Sequence, residues 1–102
     1  MNNTFTKFEN MRVIAQNDVD KLETAEKSYG TSWRQRGGVG AFMMLARKWD
    51  RIENQVKKVA YDIFEAYEND TRAEGILDDI QDLRRYLLLV KEHVTKRKEE
   101  TT

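Results

Sequence analysis

From Val39 to Tyr67 the apolar residues Val39, Phe42, Leu45, Trp49, Ile52, Val56, Val59, Ala60, Ile63 and Tyr67 recur at intervals of three and four. That is the period of one face of an α-helix. The spacing predicts a single helix over 39–68, roughly eight turns long, and no proline interrupts it or any other part of the 102 residues. Asn69-Asp70 breaks the pattern. Thr71-Arg72-Ala73-Glu74 then has the form of a capping box, in which threonine and glutamate side chains satisfy the free N–H groups of a new helix. A last helix is expected over 71–97, with Ile76, Ile80, Leu83, Leu87, Val90 and Val94 as its buried stripe. The short connection folds it back on its predecessor as an antiparallel hairpin.

Ahead of this pair, Phe5, Phe8 and Met11, then Val19, Leu22 and Ala25, keep helical spacing up to Tyr29. They predict an N-terminal helical segment over 1–29, as one helix or as two short ones broken near Asn17-Asp18. Gly30 is its C-terminal stop. The tail 98–102 has lost its apolar positions and is expected to fray. The fold class is therefore all-α: an N-terminal segment, a Gly/Arg loop over 30–38, and a long helical hairpin within one helical domain, 1–102. Hydrophobic residues make up 39% and charged residues 35%, so the apolar stripes are narrow. A small chain with narrow stripes is expected to complete its core as a homo-oligomeric bundle.

Composition excludes several classes. There is no cysteine, hence neither a disulfide framework nor thiolate chemistry. The longest purely apolar run, Leu87 to Val90, is far short of the roughly 20 residues that span a bilayer. No apolar run of signal-peptide type opens the sequence, and a cytoplasmic protein without a membrane partner is expected. Eighteen basic residues balance eighteen acidic ones, which removes the bulk electrostatic case for nucleic-acid binding. The charges are nonetheless segregated. Residues 34–58 are mainly basic and 62–82 mainly acidic, the pattern of two helices facing each other with complementary charge.

The stretch "YGTSWRQRGGVGAF" (29–42) holds four of the five glycines. Glycines just before a helix let its free N–H groups approach an anion closely, and the macrodipole favours negative charge there. Gly37 and Gly38 stand in that place, with Arg34 and Arg36 just upstream, so the loop reads as a phosphate cradle. It is neither a Walker A loop nor a dinucleotide fingerprint. Trp33 and Tyr29 either stack on a base or anchor the helix boundary. Lys48 and Arg51 are further candidates for phosphate charge or, alternatively, partners for the acidic residues of the last helix. There Asp79 and Asp82 share a flank, where carboxylates hold Mg²⁺ or Mn²⁺ or receive those cations. His93 is read as solvated or packing, and Met43-Met44 as core filling or a subunit contact.

"YGTSWR", "ARKWDRIE" and "GILDDIQDLRRYLLLV" together resemble the nucleotide-modification-associated domain family of small phage and bacterial all-α proteins. More distantly they resemble the MazG-like all-α nucleotide pyrophosphohydrolases. The resemblance covers about residues 29–90. It implies nucleotide chemistry, with Asp79-x-x-Asp82 at the second acidic pair of the MazG-like pattern and Asp50-x-x-Glu53 at the first. Those enzymes use mainly glutamates. A hairpin turning near residue 71 would also leave the two pairs about 12 Å apart along the axis at 1.5 Å per residue, too far for one Mg²⁺.

Two readings follow. The first is a phage-type nucleotide-binding protein without a cofactor, holding phosphates at the Gly/Arg loop. By analogy with small helical phage proteins, its sharpest form is an anti-defence sponge that sequesters a cyclic nucleotide immune signal in the bacterial host cytosol. The alternative is a Mg²⁺- or Mn²⁺-dependent nucleoside triphosphate pyrophosphohydrolase, with Asp79 and Asp82, helped by Asp50 or Glu53, holding the metal. The sequence leans to the first, and so away from an enzyme.

Overall fold

The computed structural model describes residues 3–101, with side chains over 6–100. Phe5, counted in the first apolar stripe, and Thr102, at the end of the tail, therefore fall outside the described side chains. Four α-helices account for most of the described chain: α1 (Asn3–Tyr29), α2 (Gly37–Val56), α3 (Ile63–Asn69) and α4 (Ile76–Thr101). Short 3-10 turns lie at Ser32–Arg34 and Lys57–Val59, and among the described residues there is no strand. Among the described residues no helix is long and apolar enough to cross a membrane. The chain groups into two compact units, 1–32 and 33–102, and each is described by itself.

In the first unit Asn3–Tyr29 is one uninterrupted helix. Asn17-Asp18 does not break it. Within it the Asp20 side chain accepts a hydrogen bond from Gln16 Nε2 at 3.0 Å, and its carbonyl accepts one from the Thr24 hydroxyl at 3.1 Å. Gly30 ends it in the expected way: at φ +60° its N–H reaches the Glu26 carbonyl at 2.8 Å, the left-handed cap for which glycine carries no steric penalty.

In the second unit the helix expected over 39–68 is two helices with a corner between them. After Val56 the chain tightens into a 3-10 turn, and Ala60 (φ 55°) and Tyr61 (φ 65°) are both left-handed. The Tyr61 N–H donates to the Val56 carbonyl at 2.8 Å, the six-to-one bond of a Schellman cap with alanine where glycine is usual. Asp62 then starts α3, its Oδ1 accepting from the N–H groups of Phe64 at 3.0 Å and Glu65 at 3.1 Å. Apolar spacing runs on through this corner because both arms bury toward the same core. The periodicity therefore hid the break.

The start of α4 also differs from expectation. Thr71 caps nothing; the helix begins five residues later, at Ile76. Asp70 reaches over the intervening loop and accepts the Ile76 N–H at 2.9 Å, while Asp78 accepts the Gly75 N–H at 2.9 Å. Gly75 leaves room for this contact: a Cβ there would stand 3.1 Å from Asp70 Oδ2, so the carboxylate would have to give by a few tenths of an ångström. At the other end α4 continues through Thr101, so residues 98–101, expected to fray, are helical.

The core of the unit is small: Ile52, Val56, Ala66 and Ile76, with Val59, Ile80 and Leu83 packed against it. Of the expected stripes, the buried positions are Ile52 and Val56 near the end of α2 and Ile76 at the start of α4. Phe42, Trp49 and Tyr67, and Leu87 and Val94 on α4, are exposed.

Candidate functional site

The loop begins with Trp33 on the 3-10 turn and ends in the first turn of α2. Gly37 is left-handed, at φ +75°. Gly40 is needed for a different reason: a Cβ there would meet the Arg36 Cβ at 2.7 Å, so its absence lets Arg36 lie against the first helical turn. Nothing lies within 4 Å of the positions a Cβ would take on Gly37 or Gly38. The backbone at the helix start is thus open to approach.

Arg36 occupies the N-cap position and provides no side-chain cap, and the first turn of α2 contains no acidic residue. The free N–H groups and the positive end of a 20-residue helix are therefore left uncompensated by the local sequence. Arg34 and Arg36 are both exposed. No acidic residue occurs anywhere between Tyr29 and Trp49.

Trp33 is half-buried against α4. Its ring meets His93 of α4 edge-on, with centroids 5.9 Å apart and planes at 88°. This contact brings the sole histidine beside the loop, a neighbour that spacing alone did not reveal because it depends on the register of α4 against α2. Tyr29, the other aromatic singled out, is the last residue of α1 and is exposed in the first unit.

Lys48 and Arg51 lie elsewhere. They are 11 and 14 residues beyond Gly37, about 16 and 21 Å along α2 at 1.5 Å per residue, and both are engaged. Lys48 Nζ pairs with Asp82 at 2.9 Å, and Arg51 Nε donates to Asp79 at 2.6 Å. Their complementary charges join α2 to α4 as the segregation of the sequence suggested.

The same pairs overturn the expected axial gap. They set a register in which residue 50 lies level with about residue 80 and residue 53 with about residue 77, because the chain folds back around α3 and not near residue 71. The two acidic pairs are thus at one height, yet they do not converge. Asp50 is exposed, and Glu53 sits 3.9 Å from Lys57. Asp79 is buried, with a second guanidinium, that of Arg72, at 3.2 Å. Among the described residues no three His, Asp or Glu side chains are grouped to hold a metal ion, and Asp79, Asp82 and Glu53 already face cations. This donor set does not fit Mg²⁺ or Mn²⁺.

Arg72 continues the network to Asp70, donating Nε at 2.9 Å and Nη2 at 2.8 Å. Asp70 also accepts the Arg72 N–H at 3.1 Å. These bonds, the Arg72 side chain first, hold the Asp70 carboxyl well below the usual carboxylate range despite its burial. The reciprocal bond raises Arg72. Sequence reasoning placed Asp70 in a helix break and missed it as the organiser of the loop. An aspartate shortly before a glycine and a new helix was the available signal.

No protein-family model, curated protein or solved structure matches the chain.

Proposed function

We propose that this chain is a cytoplasmic, homo-oligomeric nucleotide-binding protein that holds phosphate groups at the start of α2 and does not turn them over. The observation that carries the reading is the uncapped N-terminus of α2, beginning with left-handed Gly37 and flanked by the exposed Arg34 and Arg36. Free N–H groups, a helix dipole and two guanidiniums on a chain segment without carboxylates make an anion-binding combination. The resemblance to small all-α nucleotide-associated proteins of phages and bacteria supplies the nucleotide. Sequestration of a cyclic nucleotide signal is its sharpest form. Pairing of Asp79 and Asp82 with Arg51, Arg72 and Lys48 supports binding over metal-dependent hydrolysis.

The test is thermal melting with nucleoside triphosphates and cyclic dinucleotides in EDTA, followed by recovery of the ligand. A raised midpoint with intact ligand is expected. Arg34→Ala and Arg36→Ala should each weaken binding about tenfold, from the loss of roughly 1.5 kcal/mol per charged hydrogen bond. Asp82→Asn should leave binding unchanged. Conversion of a triphosphate to its monophosphate that depends on Mg²⁺ and is lost in Asp82→Asn would overturn the proposal in favour of a MazG-like hydrolase.

A further inference from the structure

The ion pairs Lys48–Asp82 and Arg51–Asp79 set α2 and α4 in a register that brings residue 93 level with about residue 37 and residue 97 level with about residue 33. Helical phase then selects the side chains on the facing flanks. On α2, Gly37 precedes Lys48, and Gly40 precedes Arg51, by eleven residues, about three whole turns. On α4, His93 follows Asp82 by the same eleven, and Arg97 follows Asp79 by eighteen, about five turns. The edge-on contact of Trp33 with His93, with centroids 5.9 Å apart, keeps the two flanks together at this end. Arg36 stands on the same side, since its Cβ lies against Gly40.

Four cations border this end of the unit: Arg34 and Arg36 from the loop, Arg97 from the flank of α4, and Lys96 beside it. All four are exposed, and among the described residues none of them makes an ion pair. Lys48, Arg51 and Arg72, further along the same helix pair, each meet a carboxylate. Between Tyr29 and Trp49 there is no acidic residue, and the acidic residue that shares the α4 flank, Glu100, lies a turn past Lys96. Like charges gathered in this way repel one another and raise the local concentration of anions.

We infer that Lys96 and Arg97 form a second wall of the phosphate site, and that its ligand carries at least two phosphate groups. Charge balance sets the number. A terminal phosphate carries about two negative charges near neutral pH, which Arg34 and Arg36 balance; Lys96 and Arg97 are then left for a second group. Reach agrees with this. Lys96 and Arg97 stand three and four residues past His93, about 6 Å away between Cβ atoms, and His93 touches the residue that precedes Arg34. Guanidinium forks and an ammonium are the side chains suited to phosphate oxygens. This wall consists of side chains alone and does not draw on the N–H groups of α2.

This inference rests on the nucleotide reading of the proposed function. Isothermal titration of the full chain in EDTA, with the mono-, di- and triphosphates of the four ribonucleosides and with cyclic dinucleotides, separates phosphates in series from two phosphates on one ring. The wild type should bind its best ligand about tenfold or more tightly than any monophosphate. Lys96→Ala combined with Arg97→Ala, at exposed positions, should abolish that preference, whereas Arg34→Ala should weaken monophosphate and polyphosphate alike. Lys91→Ala, on the side of α4 away from His93, should change neither. Melting without ligand reports whether each variant folds; if the double variant does not, Arg97→Gln alone should show the same selective loss. A monophosphate bound as tightly as the best ligand, or a preference that the double variant keeps, would overturn this inference and leave the phosphate site at the loop standing. A wild-type chain that binds none of these compounds would overturn the proposed function, and this inference with it.

Discussion

Asp70 has the most concentrated role of any single residue. One carboxylate, its side chain 3% exposed, accepts from the Arg72 backbone, the Arg72 guanidinium and the first N–H of α4. Because its folded pKa lies below that of an unfolded aspartate, its contribution is fully present above the unfolded value near 4. It is lost as pH falls from there through the folded pKa. Asp70→Asn should therefore destabilise the chain by about 2–3 kcal/mol at pH 7 and flatten the fall in stability below pH 4, as urea titrations between pH 2.5 and 7 would show. If the variant kept the wild-type acid slope, another carboxylate would be responsible. Gly75→Ala makes a related point: its Cβ would crowd Asp70 Oδ2 at 3.1 Å, so the loss should be smaller than in Asp70→Asn and reflect displacement of the same carboxylate.

At the scale of elements, the corner between α2 and α3 gives a test whose sign depends on the fold. Within a continuous helix, Ala60→Gly would cost about 1 kcal/mol. At a left-handed C′ position it should instead stabilise by about 0.5–1 kcal/mol, by relieving the alanine Cβ. Asp62→Ala should cost about 1 kcal/mol, since the N–H groups of Phe64 and Glu65 lose their acceptor. Chemical denaturation of the two variants would decide between corner and helix. The corner was partly written in the sequence: Asp62-x-x-Glu65 before an apolar position is itself an N-terminal signature. It was outweighed by apolar spacing, which reports the buried face and is indifferent to a turn that returns the chain to that face. Gly30 was legible because a glycine at the end of a periodic run has one common meaning. The start of α4 was not, since the real cap is a long-range reach by Asp70 whereas Thr71-x-x-Glu74 met the local pattern. For the candidate site, Gly37 and the two arginines could be read locally. Pairing of Lys48 and Arg51 with Asp79 and Asp82 was one of the two readings the sequence offered; the Trp33–His93 contact was not legible, because it depends on a register set by where the chain turns.

Across the second unit as a whole, the charge segregation of the sequence becomes a chain of alternating charges, Arg51–Asp79–Arg72–Asp70, that fastens α2 and the 70–75 loop to the first turn of α4. The outlying pair Lys48–Asp82 is more exposed. The two parts should behave differently. A double-mutant cycle on Lys48 and Asp82 should return about 0.5 kcal/mol, declining in 1 M salt. Arg51→Met should cost about 3 kcal/mol, since it removes the 2.6 Å partner of a buried carboxylate. Adding Asp79→Leu to Arg51→Met should recover most of that loss, because the uncompensated charge is gone and Arg72 retains Asp70. A double variant no more stable than Arg51→Met would mean that these residues contribute through geometry that aliphatic packing cannot replace. Recovery would mark Asp79 as a fastening residue, and the double variant should then still bind nucleotide at the loop, some 21 Å away along α2, as the proposed function requires. Loss of binding in a refolded, stable double variant would instead place Asp79 in the ligand's site.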